Sequence, residues 1–371
     1  MVYFFLIAPY FLLIVSFILG WLRKPSSLNS FNRSSIFISV LIPVRNEVEN
    51  IPALISCLDS QTYPRELFEV IFIDDHSTDG TYKCIYNYRN IDTQYKLISL
   101  PDHVNGKKKA LWRGVEASSG DFIMTTDGDC AFGPRWIELM ADCFVQNPQS
   151  LIIGPVFLKD QRGILGQFQC LEFMSLIASG AGAAGIGHPI LCNGANLAAP
   201  KSMFYEAADV YKAEVQSGDD IFLLLELKRK GFEAVFCRNN EAVVETETKK
   251  KLGDFIEQRS RWTFKSRYYR DLDIIAVAII VLATNLLFPI SFVFALFNPY
   301  FFLDIIILFI LKCFVDFILL FLVADFFHRK KWLSFFVIHQ LVYIFYVSWV
   351  GIFGHLSTFS WKSRSQISGK G

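Results

Sequence analysis

The stretch TTDGDC places Asp127 and Asp129 one glycine apart. Two carboxylates with so little backbone bulk between them suit a divalent cation shared with a diphosphate, although an Asp-Gly-Asp turn also forms without a metal. IDDHSTDGT sets Asp74 and Asp75 ahead of a turn built on Asp79 and Gly80. They either cap that turn, or one carboxylate faces a ligand crevice and accepts hydrogen bonds from a nucleobase or ribose. NGKKKALWRGVE opens a helix with Lys107, Lys108 and Lys109. A helix N-terminus bearing lysine suits phosphate, and Lys107 is the candidate for it, whereas a run of charge also makes a solvated face. It is not a P-loop, because no Gly-x-x-x-x-Gly-Lys-Ser/Thr occurs.

SGDDIFLLLELKRKGFEAVF puts Asp219 and Asp220 ahead of Ile221, Leu224, Leu225 and Leu227, which have helical spacing. One aspartate fits an N-cap that also meets the helix dipole, and the other fits a general base taking a proton from an acceptor hydroxyl. In IEQRSRW, Gln258, Arg261 and Trp262 stand at i, i+3 and i+4 and share one helical face. Arg259, Lys265, Arg267 and Arg270 spread around that face beside Phe255, Phe264, Tyr268 and Tyr269. An interfacial amphipathic helix, with Arg259 and the later basic residues on lipid headgroups, explains this composition but not the alignment of Gln, Arg and Trp.

GAGAAG, Gly180 to Gly185, matches the dinucleotide-binding pattern Gly-x-Gly-x-x-Gly. It follows the helical run FQCLEFMSLIAS rather than a strand, so it reads instead as a flexible apolar stretch near a membrane surface, at an acceptor opening.

The carboxylates need elements that bring them to one edge. IFISVLIP, FEVIFIDD, YKLISL and DFIMTTDGD read as strands, with helices between them. In the first of these helices Ile51, Leu54, Ile55 and Leu58 share one face. This β-α-β-α order implies a parallel, doubly wound sheet whose ligands sit at the carboxyl ends of its strands, where these aspartates fall.

With 53% apolar residues and 37 phenylalanines in 371, the chain is too apolar for an ordinary soluble domain. Residues 1–22 read as a retained transmembrane anchor, 23–273 as a globular domain and 274–371 as a membrane region. Ile274 to Phe297, Tyr300 to Ala324 and Leu333 to His355 are the candidate spans of that region. Arg23, Lys24 and Arg33 put the globular domain on the cytoplasmic side, and His328 to Lys331 fit a hairpin out and back. A last crossing would carry Lys362, Arg364 and Lys370 outside, against that tendency. Eight cysteines without a Cys-x-x-Cys pair read as reduced core thiols, and a net charge of +1 gives no sign of a nucleic-acid partner.

Taken in order, LIPVRNE, IDDHSTDGT, TTDGDC, GDD and QRSRW resemble the family 2 glycosyltransferases of GT-A fold. The resemblance is to their membrane-embedded branch, which includes cellulose, chitin and hyaluronan synthases and ceramide glucosyltransferases, and it covers Ile36 to Trp262. It implies an α/β GT-A domain with transmembrane helices at both ends, and a bacterial plasma or inner membrane as its place. It implies that Asp75 contacts the nucleotide, that Asp127 and Asp129 hold Mg²⁺ or Mn²⁺ against the sugar-nucleotide diphosphate, and that Asp220 is the catalytic base. Gln258, Arg261 and Trp262 then line the acceptor site and contact the diphosphate. The base motif reads Gly-Asp-Asp where the synthases usually carry Thr-Glu-Asp, which keeps both acidic positions.

The expected function is an inverting, metal-assisted glycosyltransferase with a nucleotide-diphospho-sugar donor and a lipid-linked or glycan acceptor, working against membrane lipids. A processive polysaccharide synthase is the alternative within the family, against which the small number of downstream spans speaks. An NAD(P)-dependent membrane oxidoreductase built on GAGAAG and a catalytically silent membrane binding module are the alternatives outside it.

Overall fold

The structure, a computed structural model, describes residues 2–23, 36–89, 94–159, 163–212, 218–354, 360–361 and 364–365. Lys24, Arg33, His355, Lys362 and Lys370 lie outside the described residues.

Along the chain, α1 (Val2–Leu22) leads to β1 (Ile38–Val44), α2 (Ile51–Asp59), β2 (Phe68–Asp74), α3 (Thr81–Arg89) and β3 (Tyr95–Ser99). Next come α4 (Lys107–Ala117), β4 (Phe122–Thr125), β5 (Ala131–Phe132), α5 (Trp136–Gln146), β6 (Ser150–Ile153) and β7 (Val156–Leu158). The long α6 (Ile164–Gly185) precedes β8 (Leu197–Pro200), α7 (Lys201–Glu206), α8 (Ala208–Lys212) and α9 (Asp219–Arg229). After β9 (Glu233–Phe236) and β10 (Val244–Thr246) the chain continues in helices: α10 (Leu252–Lys265), α11 (Leu272–Phe297), α12 (Phe301–Phe326) and α13 (Phe336–Phe353).

These elements form two compact units, one of Lys24–Lys159 and Leu191–Glu247, the other of Met1–Arg23, Asp160–Ile190 and Thr248–Gly371. Thus α6 and α10, which the sequence suggested as parts of the globular domain, group with the apolar helices.

The first unit is built on a seven-stranded sheet in the order β3-β2-β1-β4-β8-β6-β9. Strands β3, β2, β1 and β4 are all parallel, as their alternation with helices implied. Every residue of β2 is buried, and all but Pro43 of β1, because a central parallel strand is covered on both faces. Helix α2 covers the sheet with Ile51, Leu54, Ile55 and Leu58, all buried at the spacing of one helical face, and proline in its first turn suits a helix start. Strand β8 enters antiparallel between β4 and β6, which makes the sheet mixed. A second sheet, β5-β10-β7, holds the segment after β4. All eight cysteines are free thiols.

In the second unit α11, α12 and the segment Lys330–Phe353 are long and apolar enough to cross a membrane. In α1 the apolar stretch with described side chains, Ile7–Leu22, is shorter. Helix α1 meets α6 backbone to backbone. A Cβ on Gly20 would lie 1.9 Å from the Gly182 carbonyl oxygen, one on Gly182 2.4 Å from that of Phe17, and one on Gly185 2.2 Å from that of Gly20. GAGAAG is therefore not a flexible stretch. It is the last turns of a helix whose glycines admit a neighbouring helix, as small residues do in membrane proteins. Gly20→Ala should lower stability by about 1–3 kcal/mol through overpacking, read as a lower thermal midpoint in detergent. An unchanged midpoint would show that α1 and α6 stand further apart.

Candidate active site

The aspartates at and after the end of β2 take different parts. Asp74 Oδ2 accepts the Ser77 amide at 3.2 Å, and Asp79 accepts the amides of Thr81 and Val48 at 3.0 and 3.1 Å, so these two build the turn. Asp75 is 2% exposed and does something else. Its Oδ1 lies 3.0 Å from His76 Nδ1, its Oδ2 accepts the Gly106 amide at 3.1 Å, and Arg45 Nη1 stands 3.6 Å from Oδ2. Asp75 thereby ties the exits of β1 and β2 to the start of α4. Asn46 and His76, at φ 54° and 58°, both hold the left-handed conformation that non-glycine residues adopt at a cost, and strain of this kind gathers at functional sites.

The three lysines of α4 have three fates. Lys109 is exposed. Lys108 is buried with its ammonium 4.6 Å from the centre of the Phe222 ring, a role the charge run did not reveal. Lys107 donates to Asp127 Oδ1 at 2.6 Å and stands 3.5 Å from Asp219 Oδ2. Burial works against its charge, but the carboxylates of Asp127, Asp219 and Asp220 outweigh it and hold the ammonium well above its usual range.

Neither Asp219 nor Asp220 is an N-cap. That position belongs to Gly218, at φ 85°, and has no side-chain cap bond. Asp219 is buried against Lys107, whereas Asp220 is partly exposed and accepts the Gly194 amide at 3.2 Å. Gly194 is close to all three: a Cβ there would lie 3.1 Å from Asp219 Oδ2, 3.4 Å from Lys107 Nζ and 3.5 Å from the Asp220 Cβ. The loop that carries it is pinned by Asn196, which accepts from Trp136 Nε1 at 2.9 Å and donates to the carbonyls of Pro155 and Ala242 at 2.8 and 2.9 Å. Asn196 is fully buried, and sequence reasoning passed over it.

The side chain of Asp127 is a third exposed, and Asp129 Oδ2 lies 3.5 Å from Thr246 Oγ1 on β10. Among the described residues no group of three or more His, Cys, Asp or Glu is gathered to hold a metal. Two hard carboxylates fit a Mg²⁺-like or Mn²⁺-like ion that takes its other ligands from substrate phosphate, and the Lys107 ammonium on Asp127 marks where a cation is wanted. Cys130 beside them is no reactive thiol, since burial and the charges of Asp127 and Asp129 push its pKa well up.

Gln258, Arg261 and Trp262 lie on α10, in the other compact unit. The sequence placed Arg259 on lipid headgroups, and the structure overturns this. Arg259 is 3% exposed and grips Glu172 of α6 with Nε at 2.9 Å and Nη2 at 2.6 Å. Burial opposes its charge, but Glu172 more than restores it and raises the Arg259 pKa. Arg261 is the opposite case. Its Nε is buried without a hydrogen-bond partner among the described residues, and burial lowers its pKa, offset in part by Glu257. A buried guanidinium nitrogen left in this way still has a proton to donate.

Residues 39–167 match Glycosyl transferase family 2, and residues 122–362, more than half of the chain, match Glycosyl transferase family group 2. The chain belongs to this glycosyltransferase family. It is 38% identical over 104 residues to glycosyltransferase AglE of Haloferax volcanii, covering 28% of this chain and 33% of that one. It is 31% identical over 142 residues to the poly-beta-1,6-N-acetyl-D-glucosamine synthase of Staphylococcus epidermidis, covering 38% of this chain and 33% of the synthase. The aligned part thus spans about a third of these curated relatives. The fold is similar to that of the mannosyltransferase PcManGT from Pyrobaculum calidifontis, solved in complex with GDP-Man and Mn²⁺. That likeness has a TM-score of 0.56 at 15% identity and covers 93% of this chain and 96% of the other. As a family 2 glycosyltransferase the chain has a GT-A-like α/β sheet, and no use remains for GAGAAG as a dinucleotide fingerprint, since it ends α6 and does not follow a strand.

Proposed function

We propose that this glycosyltransferase is membrane-bound and moves a sugar, with inversion, from a nucleoside-diphospho-sugar to a lipid-linked or membrane-proximal acceptor. The observation that carries the reading is the cluster in which Lys107 gathers Asp127 and Asp219 while Asp220 stands beside it on Gly194. Asp219 is buried and its charge is answered by Lys107, so it suits a fixed electrostatic part. Asp220 is the more exposed carboxylate and suits the base.

In the reaction the acceptor hydroxyl gives its proton to the Asp220 carboxylate as its oxygen attacks the anomeric carbon. The bond from that carbon to the diphosphate breaks, and the nucleoside diphosphate leaves with the electron pair. One displacement inverts the centre, so an α-linked donor gives a β-linked product. Asp127 and Asp129 would hold Mg²⁺ or Mn²⁺, which when bound supplies positive charge to the leaving diphosphate. Lys107 lies ready for a phosphate once freed from Asp127, and the family resemblance assigns Arg261 to the diphosphate as well. Asp75 holds the nucleotide-facing loops and contacts the base or ribose, and Gln258 and Trp262 serve the acceptor. The long apolar helices support a membrane-bound protein, and we place its sheet domain in the cytoplasm of a bacterium, where sugar nucleotides are made.

Purified protein supplied with Mn²⁺ or Mg²⁺ should release nucleoside diphosphate from one member of a panel of sugar nucleotides, and extracted membrane lipids should raise the rate. No release with any donor would sink the proposal. The synthase relatives favour a second reading, processive polymer synthesis, which the product separates: one added sugar for single transfer, a ladder for a synthase.

A further inference from the structure

We infer that Glu172 and Arg259 are positioning residues for the Gln258 and Trp262 face of α10, an inference that rests on the transferase reading for its catalytic meaning. Each of these two side chains is 4% exposed, and burying two ions is repaid only when geometry is good and every remaining donor is answered. Arg259 meets that condition by dividing its guanidinium. Nε and Nη2 take both oxygens of Glu172, and Nη1 donates to Gln258 Oε1 at 2.8 Å. The flat face is spent on aromatic rings, with the guanidinium carbon 4.1 Å from the centre of Trp262 and 4.8 Å from that of Phe255. Glu172 is held in turn by Tyr346 of α13, whose hydroxyl donates to Oε1 at 3.1 Å.

This arrangement fixes more than the helix. Arginine has donors only, so Gln258 must turn its oxygen toward Arg259, and its amide nitrogen is left as the group that can donate to an oxygen-rich ligand. The indole of Trp262 is pinned by a cation on one side and by Phe173, with ring centres 6.4 Å apart. A clamp between α6 and α10 alone would need no such division of one guanidinium, since apolar residues of similar volume hold helices as well. Two of the three aligned residues therefore take their orientation from Arg259, and Arg259 takes its own from Glu172.

The test compares Arg259→Lys, and the exchange Glu172→Arg with Arg259→Glu, in the full chain. Lysine keeps the charge but cannot bond both Glu172 oxygens and Gln258 together. It should cut kcat by about 10- to 100-fold with donor KM little changed, the scale of a small misplacement. Amide hydrogen exchange should rise over Gln258–Lys265. The exchanged pair should recover the thermal midpoint lost in Glu172→Arg alone but not the turnover, because its guanidinium now sits on α6. Recovery of turnover together with the midpoint, or Arg259→Lys with normal kcat, would show a mere clamp and overturn the inference. Failure of the wild type on every donor would sink the transferase reading instead. Hydrogen exchange would still decide the positioning, which unchanged exchange over Gln258–Lys265 in Arg259→Lys would refute.

Discussion

Asp220→Asn is expected to lower turnover by about 10²- to 10⁴-fold, the usual contribution of a positioned general base, without loss of folding or of nucleoside diphosphate binding. The substitution is nearly isosteric, and the amide oxygen can still accept the Gly194 N–H that Oδ2 accepts now. What is lost is the capacity to take a proton, together with the bond that Oδ1 accepts from the Ile221 amide at 2.7 Å. Asp219→Asn makes a different prediction. It removes the negative charge 3.5 Å from Lys107 Nζ, so the ammonium keeps Asp127 as its principal partner and moves toward it. Donor KM should rise, with a smaller effect on kcat than Asp220→Asn. Initial rates of nucleoside diphosphate release and calorimetric titration with the diphosphate separate the two. If Asp219→Asn gave the larger fall in kcat at saturating donor, the base would be Asp219, and the buried ion pair with Lys107 would open during the reaction.

The parallel half of the sheet was legible because its strands are continuous apolar runs, ISVLIPV and FEVIFID, and a strand buried on both faces needs nothing else. The antiparallel half was not. Strand β8 is LAAP, four residues without a β-branched or aromatic side chain, and only its partners β4 and β6, far off in sequence, make it a strand. The site divides in the same way. Carboxylates at strand ends are visible because topology says where ligands bind, and Lys107, Asp127 and Asp219 do meet. Arg259 was misread because a basic residue next to an apolar segment has a general explanation in lipid headgroups. Its true partner, Glu172, lies 87 positions away on another helix and leaves no local signal. For a related reason Lys108 was not singled out, since its burial over Phe222 depends on a residue of α9 far along the chain.

The same logic of buried charge gives the largest effect expected on stability. Lys312 is 0% exposed in the middle of α12, where a lone ammonium would be very costly. It donates to Asp316 Oδ2 at 2.7 Å and to Gln340 Oε1 at 2.8 Å, while Gln340 Nε2 donates to the same Asp316 oxygen at 3.0 Å. Tyr10 of α1 completes the group by donating to Asp316 Oδ1 at 2.7 Å. Three helices thus share one neutralised pair, in which Lys312 answers Asp316 Oδ2 and Gln340 Oε1 and Tyr10 answers Asp316 Oδ1. Lys312→Met should cost about 3–5 kcal/mol, because it leaves the Asp316 charge without its cation, and should appear as loss of folded protein in detergent. Lys312→Met combined with Asp316→Leu should be more stable than Lys312→Met alone, since the unpaired charge goes with its partner and only hydroxyl and amide groups remain to be satisfied. Tyr10→Phe, which removes one bond to a charged acceptor, should cost about 1.5–3 kcal/mol. Thermal midpoints of the four proteins give the order directly. A double variant less stable than Lys312→Met would mean that Asp316 is held by Tyr10 and Gln340 without needing the lysine, and that the pair is not the unit on which these helices close.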